Sequence, residues 1–400
     1  MKKICFITQC SLPVPTVKGG AVETLVEYLL DENEKNPVFE FTVISVGDSE
    51  AEKESKKYSH ARFLYVPEGD SKKNKILSEA ARYLKYLNIS IPASVEFGRA
   101  LNLLKTVNNQ DMYIYEAGPT THLPLLSKLI SKDKLAVHLH WDGMGTKSKD
   151  KCFSYLIPVS NYIGDRWANA SGCSVDKIKP LYNCTKIERF MKNVTEEEKN
   201  KLRDSLGISR ENKVIIFIGR IVEDKGVKQL LEAYEGLKTD NVTLLIIGSS
   251  NFGAKIKTKY EEEVDKLIAN SKKQIVFTGY VHQTMLYKYY SIADVAVMPS
   301  MFQDPAPLVC IETQATGTPL IATRVGGIPE YAGKDGVILV EKDENLIRSL
   351  QEAIDALINN ESKKSLMSSC EVENARKYTT EMYFSSFCKL MDEIMPSNSL

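Results

Sequence analysis

The feature that most constrains this chain is an alternation of short apolar runs with amphipathic segments, which begins at residue 3 and begins again near residue 213. In the first stretch KICFIT (3–8), Phe41–Val46, Arg62–Val66, Met112–Tyr115, Leu135–His140 and Tyr155–Val159 read as short strands, most of them near-continuous apolar runs. Between them AVETLVEYLLDENEK places Val22, Leu25, Val26 and Leu29 at helical spacing. Residues 72–87 and Leu123–Ile130 read as further helices. The second stretch runs KVIIFIGR, VKQLLEAYEGL, VTLLIIG, YEEEVDKLIANS, QIVFTG, MLYKYYSIA, DVAVMP, LVCIETQAT and PLIAT. Strand and helix in strict alternation require parallel sheets covered by helices on both faces. A chain of 400 residues also exceeds one compact core. The expectation is an α/β protein of two doubly wound, Rossmann-like domains facing a central cleft. The boundaries fall at 1–184 and 185–379, with a polar linker around Asn183–Glu211. A closing helix within 380–400 is expected to pack back on the first domain.

Composition narrows the function. Lys and Arg number 52, and so do Asp and Glu, so the whole chain has no electrostatic bias towards nucleic acid. No window approaches the roughly 18–20 apolar residues that span a bilayer. The start, MKKICFITQC, lacks the cleavage site of a secretory leader. The eight cysteines are scattered without a C-x-x-C pair and read as reduced thiols. The expected location is the cytoplasm, with any membrane contact peripheral and on the inner face.

Open α/β sheets bind ligands beyond the carboxyl ends of their strands, and the chemistry-bearing residues fall there. In FIGRIVEDKG a strand ends at Gly219, with Arg220 next and Lys225 just before a helix. Two cations beside a helix start suit a diphosphate. By spacing alone they read as readily as two surface cations at a turn. In VMPSMFQDPAPLVCIETQATGTPLI, Asp304 precedes a helix start near Pro307–Leu308 and Glu312 lies in its second turn. Carboxylates so placed suit sugar and ribose hydroxyls, and the apolar flanks argue against a freely solvated pair. In RVGGIPEY, Gly326-Gly327 follows a strand and Pro329 opens a helix. Glu330 reads equally as a helix-start acid or a ligand contact.

In combination these segments resemble the family-4 retaining glycosyltransferases of the GT-B fold, the glycosyl transferases group 1. That family carries a GR…KG segment, a PS…E-x7-E…GTP segment and a GG-x-x-E segment in this order. Here they are Gly219-Arg220, Lys225-Gly226, Pro299-Ser300, Asp304, Glu312, Gly317-Thr318-Pro319, Gly326-Gly327 and Glu330. The first half resembles the family more loosely, through Gly19-Gly20 after the first strand and His140 at a strand end. The resemblance implies a hexosyltransferase-type enzyme that moves a sugar from a nucleotide diphosphate sugar, UDP favoured, to an acceptor hydroxyl with retention of configuration. Arg220 and Lys225 would neutralise the leaving diphosphate, and Glu312 would hold the ribose. Asp304 would hold the transferred sugar and His140 would touch it near the reacting carbon. Gly19, Gly20, Gly219, Ala306, Leu308 and Val309 would line the donor. The implied acceptor is a saccharide or lipid-linked saccharide, as in bacterial surface polysaccharide or glycoconjugate synthesis. No Asp-x-Asp metal motif is present, so the expected enzyme needs neither metal nor cofactor. Three departures stand out: Asp304 where the family has Glu, Ala306-Pro307 where it has Phe-Gly, and Asn183-Cys184-Thr185 where Asn-Gly is common.

Other features read more plainly. His138 and His140 share a strand face, but the sequence offers no third metal ligand at a recognisable spacing, so His138 is assigned to packing. His122 and His282 read as ordinary loop or helix residues. The stretch SKKNKILSEAARYLKYL sets Lys72, Lys73, Lys75, Arg82 and Lys85 among Ile76, Leu77, Tyr83, Leu84 and Leu87. A solvated helix covering its own domain is the ordinary reading, and a helix lying on an anionic membrane is the second. Competing functions include a GT-B phosphorylase or epimerase, with no pyridoxal-phosphate lysine signature evident, and a dinucleotide oxidoreductase. TQCSLPVPTVKGG replaces the G-x-G-x-x-G that the oxidoreductase would need. A non-catalytic subunit supporting a partner enzyme also fits the departures at Asp304 and Ala306-Pro307.

Overall fold

A computed structural model describes residues 1–87, 89–116, 118–143, 145–250 and 258–395. The chain divides into two compact units, Met1–Asn183 with Thr380–Leu400, and Cys184–Thr379.

The first unit holds β1 (Lys2–Ile7), β2 (Phe39–Val46), β3 (Ala61–Val66), β4 (Met112–Glu116), β5 (Leu135–Leu139) and β6 (Tyr155–Pro158). They form one parallel sheet in the order β3-β2-β1-β4-β5-β6. Ile4 pairs with Phe41 on one side and Met112 on the other, so strand order reverses at β1. The helix Ala21–Lys35 follows β1 and buries Leu25, Val26, Leu29 and Leu30. The helix Thr380–Ile394 belongs to this unit and buries Phe387 against β1 and β2. The Phe387 ring lies 5.6 Å from that of Phe39 and 6.0 Å from that of Phe6. Thr380 Oγ1 donates to Glu32 Oε1 at 2.7 Å, which fixes the start of the returning helix. Residues 396–400 of the expected closing helix lie outside the described residues.

The second unit repeats the plan. Its strands are β7 (Lys213–Ile218), β8 (Val242–Ile247), β9 (Gln274–Gly279), β10 (Val295–Met298), β11 (Leu320–Thr323) and β12 (Val337–Val340). They are parallel, in the order β12-β11-β10-β7-β8-β9, so order reverses between β7 and β10. Val214, Ile215 and Ile216 of β7 and Leu244, Leu245 and Ile246 of β8 are fully enclosed, as central parallel strands should be.

Several expectations change. The helix expected over Leu123–Ile130 is one turn, Leu123–Leu126, preceded by a 3₁₀ turn at Thr120–His122. The linker expected around Asn183–Glu211 contains the helix Glu196–Ser205, whose Thr195 and Glu198 form a reciprocal cap. His122 is a core residue: it stacks on Phe97 at 3.7 Å, and its Nδ1 meets the Tyr115 hydroxyl at 2.8 Å. Burial lowers its pKa to about 3. The eight cysteines are free thiols. Among the described residues no helix is long and apolar enough to cross a membrane.

Candidate active site

In the second unit the carboxyl ends of β7 and β10 meet where the strand order reverses, the place at which such sheets take ligands. Two glycines let the turns there close. Gly226 (φ +71°) caps the turn Glu223–Lys225, and a Cβ on it would overlap the carbonyl oxygen of Pro299 after β10. Gly326 (φ +57°) lies against the backbone of Asp304, where a Cβ would overlap the carbonyl oxygen, and Gly327 N–H donates to that oxygen at 2.8 Å. The Met301 amide completes the frame by donating to the Asp224 carbonyl at 2.8 Å.

This frame brings together two residues 79 apart in sequence. Lys225 Nζ donates to Asp304 Oδ2 at 2.7 Å and sits 4.7 Å from the centre of the Phe302 ring. The Asp304 side chain is 10% exposed and that of Lys225 21%, so the pair is well shielded but reachable. Arg220 is exposed after β7 and makes no ion pair among the described residues.

The helix Leu308–Thr316 begins after Pro307, which offers no side-chain cap, so the first amides, at Leu308 and Val309, stay outside the helical ladder. Ala306 precedes them, partly buried. Glu312 lies in the second turn, also partly buried. Burial raises its carboxyl to about 7, against the opposing pull of Arg189, which lies on the turn Ile187–Arg189. A carboxyl poised near neutrality both accepts and donates, which suits a pair of hydroxyls.

The first unit holds a separate cluster. Gly19 (φ +79°) and Gly20 (φ +114°) lead into the helix Ala21–Lys35, and a Cβ on Gly20 would overlap the Glu23 carboxylate. Glu23 is 2% exposed, and its Oε1 has no hydrogen-bond partner among the described residues. Burial, helped by nearby Glu116, raises its pKa to about 7. At the carboxyl ends of β4 and β5, Glu116 Oε2 lies 3.0 Å from His138 Nδ1 and 3.0 Å from His140 Nε2. The two imidazoles are 4.0 Å apart, and Glu116 is 1% exposed. Burial alone would raise the Glu116 carboxyl, but His138 and His140 outweigh it and hold it at about 2. His140 is lowered to about 4, by burial first and then by His138. It is therefore neutral at pH 7, and since an ionised Glu116 can only accept, Nε2 carries the proton and donates to Oε2, leaving Nδ1 unprotonated.

Glu116 is a residue the sequence reading missed. It supplies the third group beside His138 and His140, and the three ligand atoms lie within 4.8 Å of one another. Two imidazoles and a carboxylate suit a zinc-type ion in chemistry. The same distances are those of two hydrogen bonds onto one carboxylate. His138 is thus more than packing. Glu23 and Arg189 were missed as well. An open cavity of about 700 Å³ lies elsewhere, at the amino ends of β4 and β5, lined in part by Gln110, Tyr113, Lys128 and Lys134. None of the predicted site residues borders it.

The family model "Glycosyl transferases group 1" matches residues 198–377. An uncharacterized glycosyltransferase of Methanocaldococcus jannaschii is 29% identical over 66% of this chain and 67% of its own length. The lipopolysaccharide 1,2-N-acetylglucosaminetransferase of Salmonella typhimurium is 25% identical over 55% of this chain and 58% of its own. The crystal structure of Anabaena HepE in complex with UDP-glucose shares the fold, with a TM-score of 0.71 at 16% identity over 98% of this chain and all of that one. With two Rossmann-like units that share the GT-B fold, the chain matches the group 1 glycosyltransferase family over residues 198–377, the stretch that holds β7 and β10.

Proposed function

We infer that this protein transfers a hexosyl group from a nucleotide diphosphate sugar to an acceptor hydroxyl with retention of configuration. The second unit is the donor site. The observation that carries this reading is the cation set at the β7–β10 reversal, with Arg220 exposed and in no ion pair among the described residues and Lys225 held on Asp304. Cleaving the anomeric bond leaves negative charge on the diphosphate. Arg220, Lys225 and the amides of Leu308 and Val309 would meet it without reorganising. In this account Asp304 holds Lys225 at its post and accepts from a sugar hydroxyl, while Glu312 binds the ribose hydroxyls. Gly219 keeps the backbone low beside the phosphates, and Ala306 lines the donor.

His140, on the first unit, is assigned to the transferred sugar as the family resemblance implies, and Gly19-Gly20 to the donor and acceptor loop. A neutral His140 would accept a hydrogen bond from a sugar hydroxyl and would not repel positive charge building on the sugar. The acceptor proton passes to the departing phosphate oxygen, so no protein base is needed. UDP is the proposed nucleotide, since the HepE complex holds UDP-glucose. A surface saccharide or lipid-linked saccharide is the proposed acceptor, in line with the Salmonella relative's lipopolysaccharide substrate. The proposed setting is cytoplasmic, and the reaction is proposed to proceed without metal.

A thermal-shift panel of UDP, GDP, ADP and NAD in EDTA tests the donor site. A ligand at about 100 times its Kd stabilises by roughly 2.7 kcal/mol. The expected result is a shift with one nucleoside diphosphate that Arg220→Ala abolishes. No shift with any of them in a folded sample would overturn the reading.

A further inference from the structure

The helix Ser71–Leu84 leaves the carboxyl end of edge strand β3, the same end of the sheet that carries His140. Its inward stripe is thin. Asn74, Leu77, Ala81 and Leu84 recur at helical spacing, and Ala81 alone among the helix residues is buried. Polar contacts tie it to the helix Val95–Leu104. Asn74 Nδ2 donates to both Glu96 oxygens at 2.9 Å, Asn74 Oδ1 accepts from Val95 N at 2.9 Å, and Gly69 N donates to Glu96 Oε1 at 2.7 Å.

The outward face is unlike a solvated helix. Ile76 is 66% exposed and Tyr83, two turns on, 65%. Tyr86, Leu87 and Ile89 extend the patch, Tyr86 at 76% and Leu87 at 69%. The Lys72, Lys73, Lys75 and Arg82 side chains lie exposed beside these residues, and none forms an ion pair among the described residues. Residues 71–89 carry five basic side chains against the single acid Glu79.

We propose that this face docks on a bilayer rich in anionic phospholipid. Contiguous exposed apolar side chains mark an interaction surface, and here the surrounding charge selects the partner. A second copy would bring two positive faces together. An anionic bilayer answers both features: phosphates meet the cations, the headgroup boundary takes Ile76 and Leu87, and the rings of Tyr83 and Tyr86 sit at headgroup level. Docking would bring the carboxyl end of the first unit's sheet towards lipid-carried acceptors, a consequence that rests on the glycosyltransferase reading. The docking itself does not rest on it.

The test is co-sedimentation of the full chain with extruded vesicles of phosphatidylcholine alone or mixed equally with phosphatidylglycerol. Each cation near an anionic surface is worth about fivefold. The expected result is binding at least tenfold tighter to the phosphatidylglycerol vesicles, weakened at 500 mM against 50 mM salt. The variants Lys72→Glu/Lys75→Glu/Arg82→Glu and Ile76→Ser/Tyr83→Ser should each lose at least tenfold with Tm unchanged, since these side chains are exposed. Equal binding to both vesicles, no binding, or wild-type binding by the charge-reversed variant would overturn the proposal. So would a concentration-dependent dimer that Ile76→Ser/Tyr83→Ser abolishes in place of vesicle binding. The readout needs no turnover, so its failure is distinct from failure of the catalytic reading.

Discussion

Replacing Glu116 by Gln keeps the shape of the first-unit cluster and removes its charge. Glu116 is fully enclosed, and its carboxyl is lowered from 4.5 to about 2 by His138 and His140. Each pKa unit corresponds to about 1.4 kcal/mol, so at pH 7 the ionised carboxylate contributes on the order of 3 kcal/mol. The folded-state value is depressed, so this stability is present above about 4.5 and is lost as pH falls towards 2. The first unit holds roughly 200 residues. Its unfolding entropy is then on the order of 0.4 kcal/mol/K, and the loss corresponds to a fall in Tm of about 7 °C. Differential scanning calorimetry of both proteins from pH 7 to pH 3 reads this directly. The gap between them should be full at pH 7 and should narrow below pH 4.5. A Glu116→Gln protein that melts within 1 °C of wild type at pH 7 would refute the charge-clamp account of the cluster.

Other outcomes follow from the same structure. Glu23 has the opposite sign: its carboxyl is raised to about 7, so its protonated form suits the fold and stability falls as pH rises from 4.5 through 7. Glu23→Gln should therefore match wild type in melts at pH 4.5 and exceed it by about 1–3 kcal/mol at pH 8; equal curves at both would remove the buried-acid argument. Gly226→Ala puts a methyl group into the Pro299 carbonyl at positive φ, and urea unfolding should show a loss of more than about 2 kcal/mol. An unchanged midpoint would mean that the β7–β10 frame is looser than described. Phe387→Ala should cost about 3–5 kcal/mol by removing the ring that joins the returning helix to β1 and β2; a loss below 1 kcal/mol would mean the helix is not anchored there.

The sheets were legible because central parallel strands must be apolar on both faces, and KVIIFI and VTLLII carry that requirement openly. The helices Ala21–Lys35 and Leu308–Thr316 were equally legible, since apolar spacing and a flanking Gly or Pro marked their starts. Elements at the rim were not. The helices Val95–Leu104, Leu346–Ile358 and Glu361–Ala375 and the strand Val337–Val340 were not anticipated. The helix at Glu196–Ser205 was hidden by its charge, although Thr195 and Glu198 stand at capping-box spacing and would have revealed it. In the candidate site, residue types at strand ends were readable but partnerships were not. Lys225 and Asp304 meet across 79 residues because β7 and β10 are neighbours, which only strand order can tell. Glu116 carried one signal, an acid closing the otherwise apolar and aromatic strand MYIYE.

The most direct test of the central claim is release of nucleoside diphosphate from UDP-, GDP- and ADP-sugars by the purified full chain in EDTA, followed by mass spectrometry with and without candidate saccharide acceptors. Loss of one preorganised charge partner at a reacting centre costs about 10²–10³ in rate. The account predicts release from one donor class, slowed about a hundredfold or more in both Arg220→Ala and Lys225→Ala while each variant stays folded. Release that neither substitution slows, or no release from any donor, would contradict it.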